Sequence, residues 1–316
     1  MKNNDTEAAW HYHNGTKHPY GILLHRFHFY DPANRPYPYK IYKDIQAIVL
    51  PLDKSSLGVP ALKAISADVE PDESKQVLDL NILSRILYFS GGMTKTINFG
   101  RLGDVEFRAA ACTGALYHIE IYAVCGDIPG LEAGVYHFDP KEMKLGHLRK
   151  GDYRRVLVHA SGNDINAENA PVILVYTDIF TRNTVKYQTR EYRHAFWDCG
   201  TILANTLAIS SAHKLPAKVI VGFVDESINS LLDLNSEKEV SLVLVPIGFT
   251  ENISAKMPDV PLLKLKTEPL SNYDTDDPEI QKMHKIPHYY RSTKSETGKA
   301  GFQKSKCHLP QKMLFH

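Results

Sequence analysis

The feature that most limits how this chain can fold is the long helical stretch from about Arg190 to His213. Phe196, Cys199, Leu203, Thr206, Leu207 and Ile209 recur at three- and four-residue steps and form a wide apolar stripe, while Ala195, Gly200 and Ala204 add a small-residue face. A helix apolar or small over so much of its surface is expected to be buried on most sides. The rest of the chain must supply the surfaces that cover it. Ala115–Val124 alternates in its second half (Ile119, Ile121, Ala123), as a strand does. Val135–Phe138 and Lys144–Leu148 flank the turn Asp139-Pro140-Lys141-Glu142 and predict a hairpin. Pro171–Thr177 is a continuous apolar run suited to a central strand. Val219–Phe223 and Val240–Ile247 predict two more strands. Ahead of them, Leu80, Leu83, Ile86 and Leu87 predict a helix that ends at Ser90-Gly91-Gly92. Helix, strands, long helix and strands, in that order, imply an α+β fold with helices on a largely antiparallel sheet.

With 316 residues, the chain has room for one domain of about 200 residues plus appended segments. We divide it into an arm and linker over residues 1–77, a compact domain over 78–250 and an irregular extension over 251–316. The arm is rich in His, Tyr and Pro. Its stretch Tyr30–Lys40 should be extended, because each proline disfavours helix before it, and it needs a surface to lie on. The segment Thr181–Thr184 reads as a short polar loop. Past Tyr290 the chain is basic and poor in apolar residues, so it is expected to be unpacked and quickly trimmed by proteases. No run reaches the ~20 apolar residues of a membrane helix. The polar N-terminus has no secretory apolar core, so a cytoplasmic location without membrane contact is expected. A formal net charge of +1 gives no general attraction to nucleic acid. None of the cysteines is spaced as C-x-x-C. His11, His13, His18, His25 and His28 crowd the arm without carboxylate or thiol partners at ligand spacing, so no metal site is expected there.

Three segments carry chemistry. In Arg108-Ala-Ala-Ala-Cys112-Thr113-Gly114, small residues ahead of a glycine let a flat ligand lie against the backbone, with Arg108 offering a cation. The plainer alternative is a tight turn entering a strand, with Arg108 at the surface. In Lys186-Tyr187-Gln-Thr-Arg190-Glu-Tyr192-Arg193, cations and phenols crowd the start of the long helix. There a phosphate, a carboxylate or the neighbouring Glu191 and Asp198 would balance the charge. The alternative is a solvated, salt-bridged helix start. The third, Val219–Phe223, breaks at Gly222 and presents backbone N–H groups at its end.

Taken in order, these segments form a composite pattern: R-x-x-x-C-T-G-A-L-Y-x-I-E-x-Y, G-L-x-x-G-V-Y-H-F, K-Y-x-x-R-x-Y-R, D-x-G-x-x-x-x-N and G-F. The pattern resembles the SagB/McbC-type azoline dehydrogenases of the nitroreductase-like superfamily, over roughly residues 78–248. The resemblance implies an FMN-dependent oxidoreductase that works as an interlocked homodimer with the flavin between its subunits. Its substrate class would be a peptide thiazoline or oxazoline, or a similar heterocycle. It implies proton-transfer roles for Lys186 and Tyr187, with hydride passing to the flavin. Cys112, Thr113 and Gly114 would lie along the flavin ring. Arg108, Arg190 and Arg193 would meet the phosphate or order the helix start. Val221 and Gly222 would turn a backbone N–H toward the flavin. The opening Tyr12–His18 is similar to the start of longer relatives with two such domains. The chain departs from the family in three places. Residues 60–68 lack the arginines of the usual phosphate-binding segment. Ala111-Cys112 replaces Pro-Ser, and no Arg or Lys closely follows Pro246-Ile-Gly248. Those departures keep open a catalytically silent, partner-binding copy of the fold. An NAD(P)H-dependent nitroreductase is the third reading.

Overall fold

The computed structural model describes residues 6–17, 31–69, 76–100, 103–251, 256–275 and 277–285. The expectations for the tail beyond Tyr290, and for His18, His25 and His28, fall outside these residues. The strands are β1 (Ala47–Val49), β2 (Met93–Asn98), β3 (Asp104–Arg108), β4 (Ile119–Cys125), β5 (Gly134–Asp139), β6 (Lys144–Lys150), β7 (Val172–Ile179) and β8 (Glu239–Ile247). Six of them form one antiparallel sheet in the order β1-β6-β5-β4-β7-β8, and β2 pairs with β3 in a separate ribbon. The α+β fold expected from the sequence is therefore the observed one.

The helices are α1 (Thr6–Gly15), α2 (Ala61–Ser66), α3 (Leu80–Gly91), α4 (Arg154–Ala160), α5 (Ile165–Glu168), α6 (Thr181–Tyr187), α7 (Glu191–Ala212), α8 (Asp225–Leu231) and α9 (Pro278–Lys285). Successive strand residues point to opposite faces, so the sheet divides the core in two. Ile119, Ile121, Ala123 and Cys125 of β4 pack with Leu83, Ile86 and Leu87 of α3 and with Ala195, Cys199 and Ile202 of α7. Tyr122 and Val124 face the other way, toward Leu157 and Val158 of α4 and Ile228 and Leu231 of α8. A bulge opposite Tyr176 and Thr177 makes both Leu242 and Val243 of β8 members of the α7-side core. Helix α3 begins where the Asp79 side chain accepts the Ile82 N–H at 2.8 Å. It stops at Gly92, where a Cβ would stand 2.8 Å from both Tyr88 Cα and its carbonyl oxygen.

Four local expectations need correction. Thr181–Thr184 is not a loop but the first half of α6. Its polar side chains are buried because distant segments hold them: Arg182 on Glu120 and the Tyr117 carbonyl, and Thr184 on Thr275. Val219–Phe223 is not a strand. Among the described residues it meets the sheet edge at the single bridge Ile220↔Leu244, with the bridge Ala217↔Ile247 just ahead of it. The sheet reaches back past residue 78, since β1 at Ala47–Val49 forms its edge. Finally, among the described residues α7 is not buried on most sides: Phe196, Trp197, Gly200 and Ala204 are exposed. The arm finds its surface within the chain itself. Tyr37 N–H donates to the Leu270 carbonyl at 2.8 Å, Lys40 reaches Glu239 at 2.6 Å, and Arg108 donates to the Pro38 carbonyl. No described helix is long and apolar enough to cross a membrane.

Candidate active site

Cys112, Thr113 and Gly114 lie on a short 3-10 turn, Thr113–Ala115, at the entrance to β4. The backbone here has left-handed φ at Gly114 (64°), Ala115 (52°) and Tyr117 (49°). Two consecutive-but-one non-glycine residues in that region store strain, which the surroundings must hold in place. They do so through short contacts. Tyr117 N–H meets Cys112 Sγ at 3.1 Å, and the Tyr117 hydroxyl accepts the Arg108 N–H at 3.2 Å. Thr201 of α7 donates to the Ala111 carbonyl at 2.7 Å.

Lys186 and Tyr187 form the last turn of α6, which breaks at Gln188 with φ 49°. Lys186 is exposed and Tyr187 half-buried. The Tyr187 ring stands edge-on to His194, 4.6 Å between centroids, and Lys186 Nζ lies 5.3 Å from its centre. The turn and the platform meet at Gly114. A Cβ placed there would be 2.9 Å from Tyr187 Oη and 3.4 Å from Lys186 Nζ. Only glycine allows that approach, and its φ favours glycine too. Five residues singled out in the sequence are thus brought together: Cys112, Thr113, Gly114, Lys186 and Tyr187.

The other candidates are placed differently. Arg108 is neither a surface side chain nor an open cation. It is 7% exposed, donates to the Ile119 and Pro38 carbonyls, and lies over the Tyr117 ring. Arg190 donates to the Thr16 carbonyl. Arg193 donates to Thr16 Oγ1 at 2.7 Å and to the His13 carbonyl at 2.8 Å, so both clasp the end of α1. Carbonyls at a helix C-terminus carry partial negative charge and serve these arginines as an anion would. Val221 and Gly222 are exposed just past the bridge to β8, two strand positions from β4. Within one chain they stand apart from the platform. The segments at 60–69 and 246–249 meet across a cleft of about 140 Å³ that includes Asp68, Pro246 and Gly248, where Lys218 is the one cation among the described lining residues.

A buried cluster behind the platform was missed from the sequence. His118 donates from Nδ1 to Asp178 at 2.7 Å and from Nε2 to Asp198 at 2.8 Å, which only the imidazolium can do. Burial alone would lower its pKa, but the charge of Asp178 and hydrogen bonds to both aspartates raise it well above the usual value. Asp198 also accepts from the Thr113 N–H (2.8 Å), Thr113 Oγ1 (2.8 Å) and Cys112 Sγ (3.1 Å). Burial opposes its ionisation, yet the hydrogen bond from His118 prevails and its pKa is lowered. Glu191 lies 3.4 Å from His118 Nδ1, but neither of its oxygens has a hydrogen-bond partner among the described residues. Burial and the Asp178 charge raise its pKa well above the usual carboxylate value. The ligand atoms of Cys112, His118 and Asp198, and of His118, Asp178 and Glu191, are close enough to surround a cation. Hydrogen bonds already engage both ring nitrogens, so the cluster closes as a proton network. The sequence singled out Glu191 and Asp198 as carboxylates near the helix start, but neither His118 nor Asp178, a polar residue next to the end of a largely apolar strand.

Residues 97–249 match the model of the Nitroreductase family. A nitroreductase-like protein of Methanocaldococcus jannaschii is 26% identical over 171 residues, 54% of this chain and 81% of that one. The trifolitoxin-processing protein TfxB of Rhizobium leguminosarum bv. trifolii is 28% identical over 180 residues, covering 55% of this chain and 48% of that protein. The microcin B17-processing protein McbC of Escherichia coli is 26% identical over 140 residues, 43% of this chain and 52% of McbC. The chain thus spans about half the length of the two processing proteins. A crystal structure of a nitroreductase-like protein from Anabaena variabilis superposes with a TM-score of 0.69 at 25% identity, over 91% of this chain and 56% of that one. Residues 97–249 thus form a nitroreductase family domain, and the similarity to TfxB and McbC supports the branch of those processing proteins.

Proposed function

We propose that this protein is an FMN-dependent oxidoreductase that acts in the cytoplasm on a flat heterocycle, an azoline carried by a peptide, and that it works as a homodimer. The observation that carries this reading is the meeting of Lys186 and Tyr187 over Gly114. An amine and a phenol stand directly over a glycine turn. FMN, when bound, would supply the two-electron acceptor. The chain's own part is to hold the substrate ring against the platform and to remove a proton from its carbon through Lys186 Nζ or Tyr187 Oη. The small side chains of 109–114 support a flat cofactor ring lying along this segment. The processing roles named for TfxB and McbC support a peptide substrate.

The homodimer is supported by the open side of α7, where Phe196 and Trp197 are 46% and 53% exposed beside Gly200 and Ala204. A second copy would cover this face and bring an exposed Val221-Gly222 to the ring from across the interface. An obligate contact of this kind buries roughly 2,000 Å² or more. One observation favours a catalytically silent copy instead: Arg190 and Arg193 are engaged by α1, and Lys218 is the one described cation in the cleft at Pro246–Gly248. An absorbance spectrum of the purified protein, with an FMN titration and a sedimentation mass, decides between the two. Flavin bands and a dimeric mass are expected. A colourless dimer that takes up no FMN would leave the silent copy. A monomer at micromolar concentration would remove the shared site. Rapid bleaching of bound flavin by NAD(P)H would point to a general nitroreductase.

A further inference from the structure

The platform has little to hold it from in front. Lys186 is exposed, Tyr187 is half-buried, and the turn carries left-handed φ at Ala115 and Tyr117 as well as Gly114. What holds it lies behind. Asp198 takes three donors from Cys112 and Thr113, and α7 anchors Asp198 from below. Alone, that carboxylate would be a poor bracket, because a single buried charge is costly and turns toward water. His118 supplies the opposite charge at 2.8 Å and is itself fixed on its far side by Asp178 of β7 at 2.7 Å. All three side chains are at most 8% exposed. Glu191, the first residue of α7, abuts the same imidazole three residues after the 187–188 break.

We infer that His118 and Asp198 are positioning residues: a buried carboxylate–imidazolium–carboxylate chain, Asp178–His118–Asp198, that holds the Cys112–Gly114 turn in register beneath Lys186 and Tyr187. The inference rests on the active-site reading above for its meaning, but not for its test. Every link is a charge-assisted hydrogen bond, the strong kind, and the chain ties β4, β7 and α7 to one loop. Rotating the Asp198 carboxylate would release the Thr113 N–H, Thr113 Oγ1 and Cys112 Sγ together. The strained turn would then relax away from the α6 end. Neither residue touches a reacting atom; both act through the turn.

Cys112 is a built-in reporter of this register. It is half-buried with its sulfur engaged, whereas Cys125 and Cys199 are in the core. The flavin-free full-length protein is treated with iodoacetamide at neutral pH, and adducts at each cysteine are followed by peptide mass spectrometry. Asp198→Asn and His118→Gln should raise the Cys112 rate about tenfold or more, the scale of losing hydrogen bonds to a charged acceptor. Cys125 and Cys199 should stay unlabelled. Thr113→Val, which removes one donor and leaves the core intact, should give a smaller increase of the same selectivity. An unchanged Cys112 rate in Thr113→Val and in any folded core variant would overturn the inference. So would core variants that label Cys112, Cys125 and Cys199 together while Thr113→Val labels none of these faster. In parallel, FMN is titrated by fluorescence quenching. Binding weakened about tenfold in Asp198→Asn is expected. If the unaltered protein binds no FMN, the functional reading fails while the thiol rates still decide the positioning.

Discussion

Arg182→Met is the most exacting test of how the fold holds its polar interior. Arg182 and Glu120 pair with 0% and 1% of their side chains exposed. Glu120 keeps two other partners, His137 Nε2 at 2.6 Å and the Lys40 N–H at 3.1 Å. Breaking a buried pair from one side typically costs about 3–5 kcal/mol, because the remaining charge is uncompensated. Two features move the value to the low end. Glu120 retains those partners, and Arg182 Nε and Nη2 already lack acceptors among the described residues, so their removal relieves roughly 1–3 kcal/mol of unmet hydrogen bonding. The expected loss is about 3 kcal/mol, read from urea unfolding of both proteins. Its pH dependence is the sharper readout. In the intact protein burial would raise the Glu120 pKa, but Arg182, then His137 and Arg108, hold it far below the usual range. Without Arg182 the burial effect dominates, so the deficit should be largest at neutral pH and shrink as Glu120 takes up a proton in acid. A loss under about 1 kcal/mol, the value of an exposed pair such as Lys43–Glu268, would refute the argument. A loss that does not vary with pH would do the same.

Lys186→Ala and Tyr187→Phe should keep the fold and any bound flavin yet lower turnover by ~10²-fold or more, the scale for removing a general acid or base; a flavin-free Lys186→Ala protein would reassign the lysine to cofactor binding. Gly114→Ala adds a left-handed alanine, about 1 kcal/mol, and a Cβ 2.9 Å from Tyr187 Oη, so it should lower the melting temperature and alter Tyr187 fluorescence; neither change occurring would mean the contact over Gly114 is absent in solution. Stability should fall at both ends of the pH scale. The raised pKa values of His118 and Glu191 give stabilisation that is complete below their ordinary values and lost as pH rises through the folded ones. The lowered values of Glu120 and Asp198 give stabilisation present above the ordinary carboxylate range and lost as pH falls. Urea midpoints measured across pH check this, and His118→Gln should flatten the alkaline fall; an alkaline limb unchanged by that substitution would count against the charged imidazole.

Periodicity was enough to place α3, α7 and the strands β4 to β8, because each carries a pattern that only one backbone spacing can bury. Only the resemblance put Gly114 and Lys186-Tyr187 in one expected site; read locally, each segment kept a plainer alternative, and their approach over Gly114 exists only in the folded chain. The ribbon β2–β3 left no trace because its residues are mostly polar and, Arg108 apart, none is fully buried, so no apolar alternation marks it. The polar run Thr181–Thr184 misled for the opposite reason: it is buried and helical because Glu120, Tyr117 and Thr275, all distant in sequence, satisfy it. Arg108, Arg190 and Arg193 were legible as cations, but which anion or carbonyl each one meets depends on where the arm and α1 come to rest. His118, Asp178, Glu191 and Asp198 span 81 positions from first to last by their numbering and share no motif. Side-chain charge is written in the sequence, whereas the burial that sets its pKa and the partner that makes burial tolerable exist only once the sheet has closed.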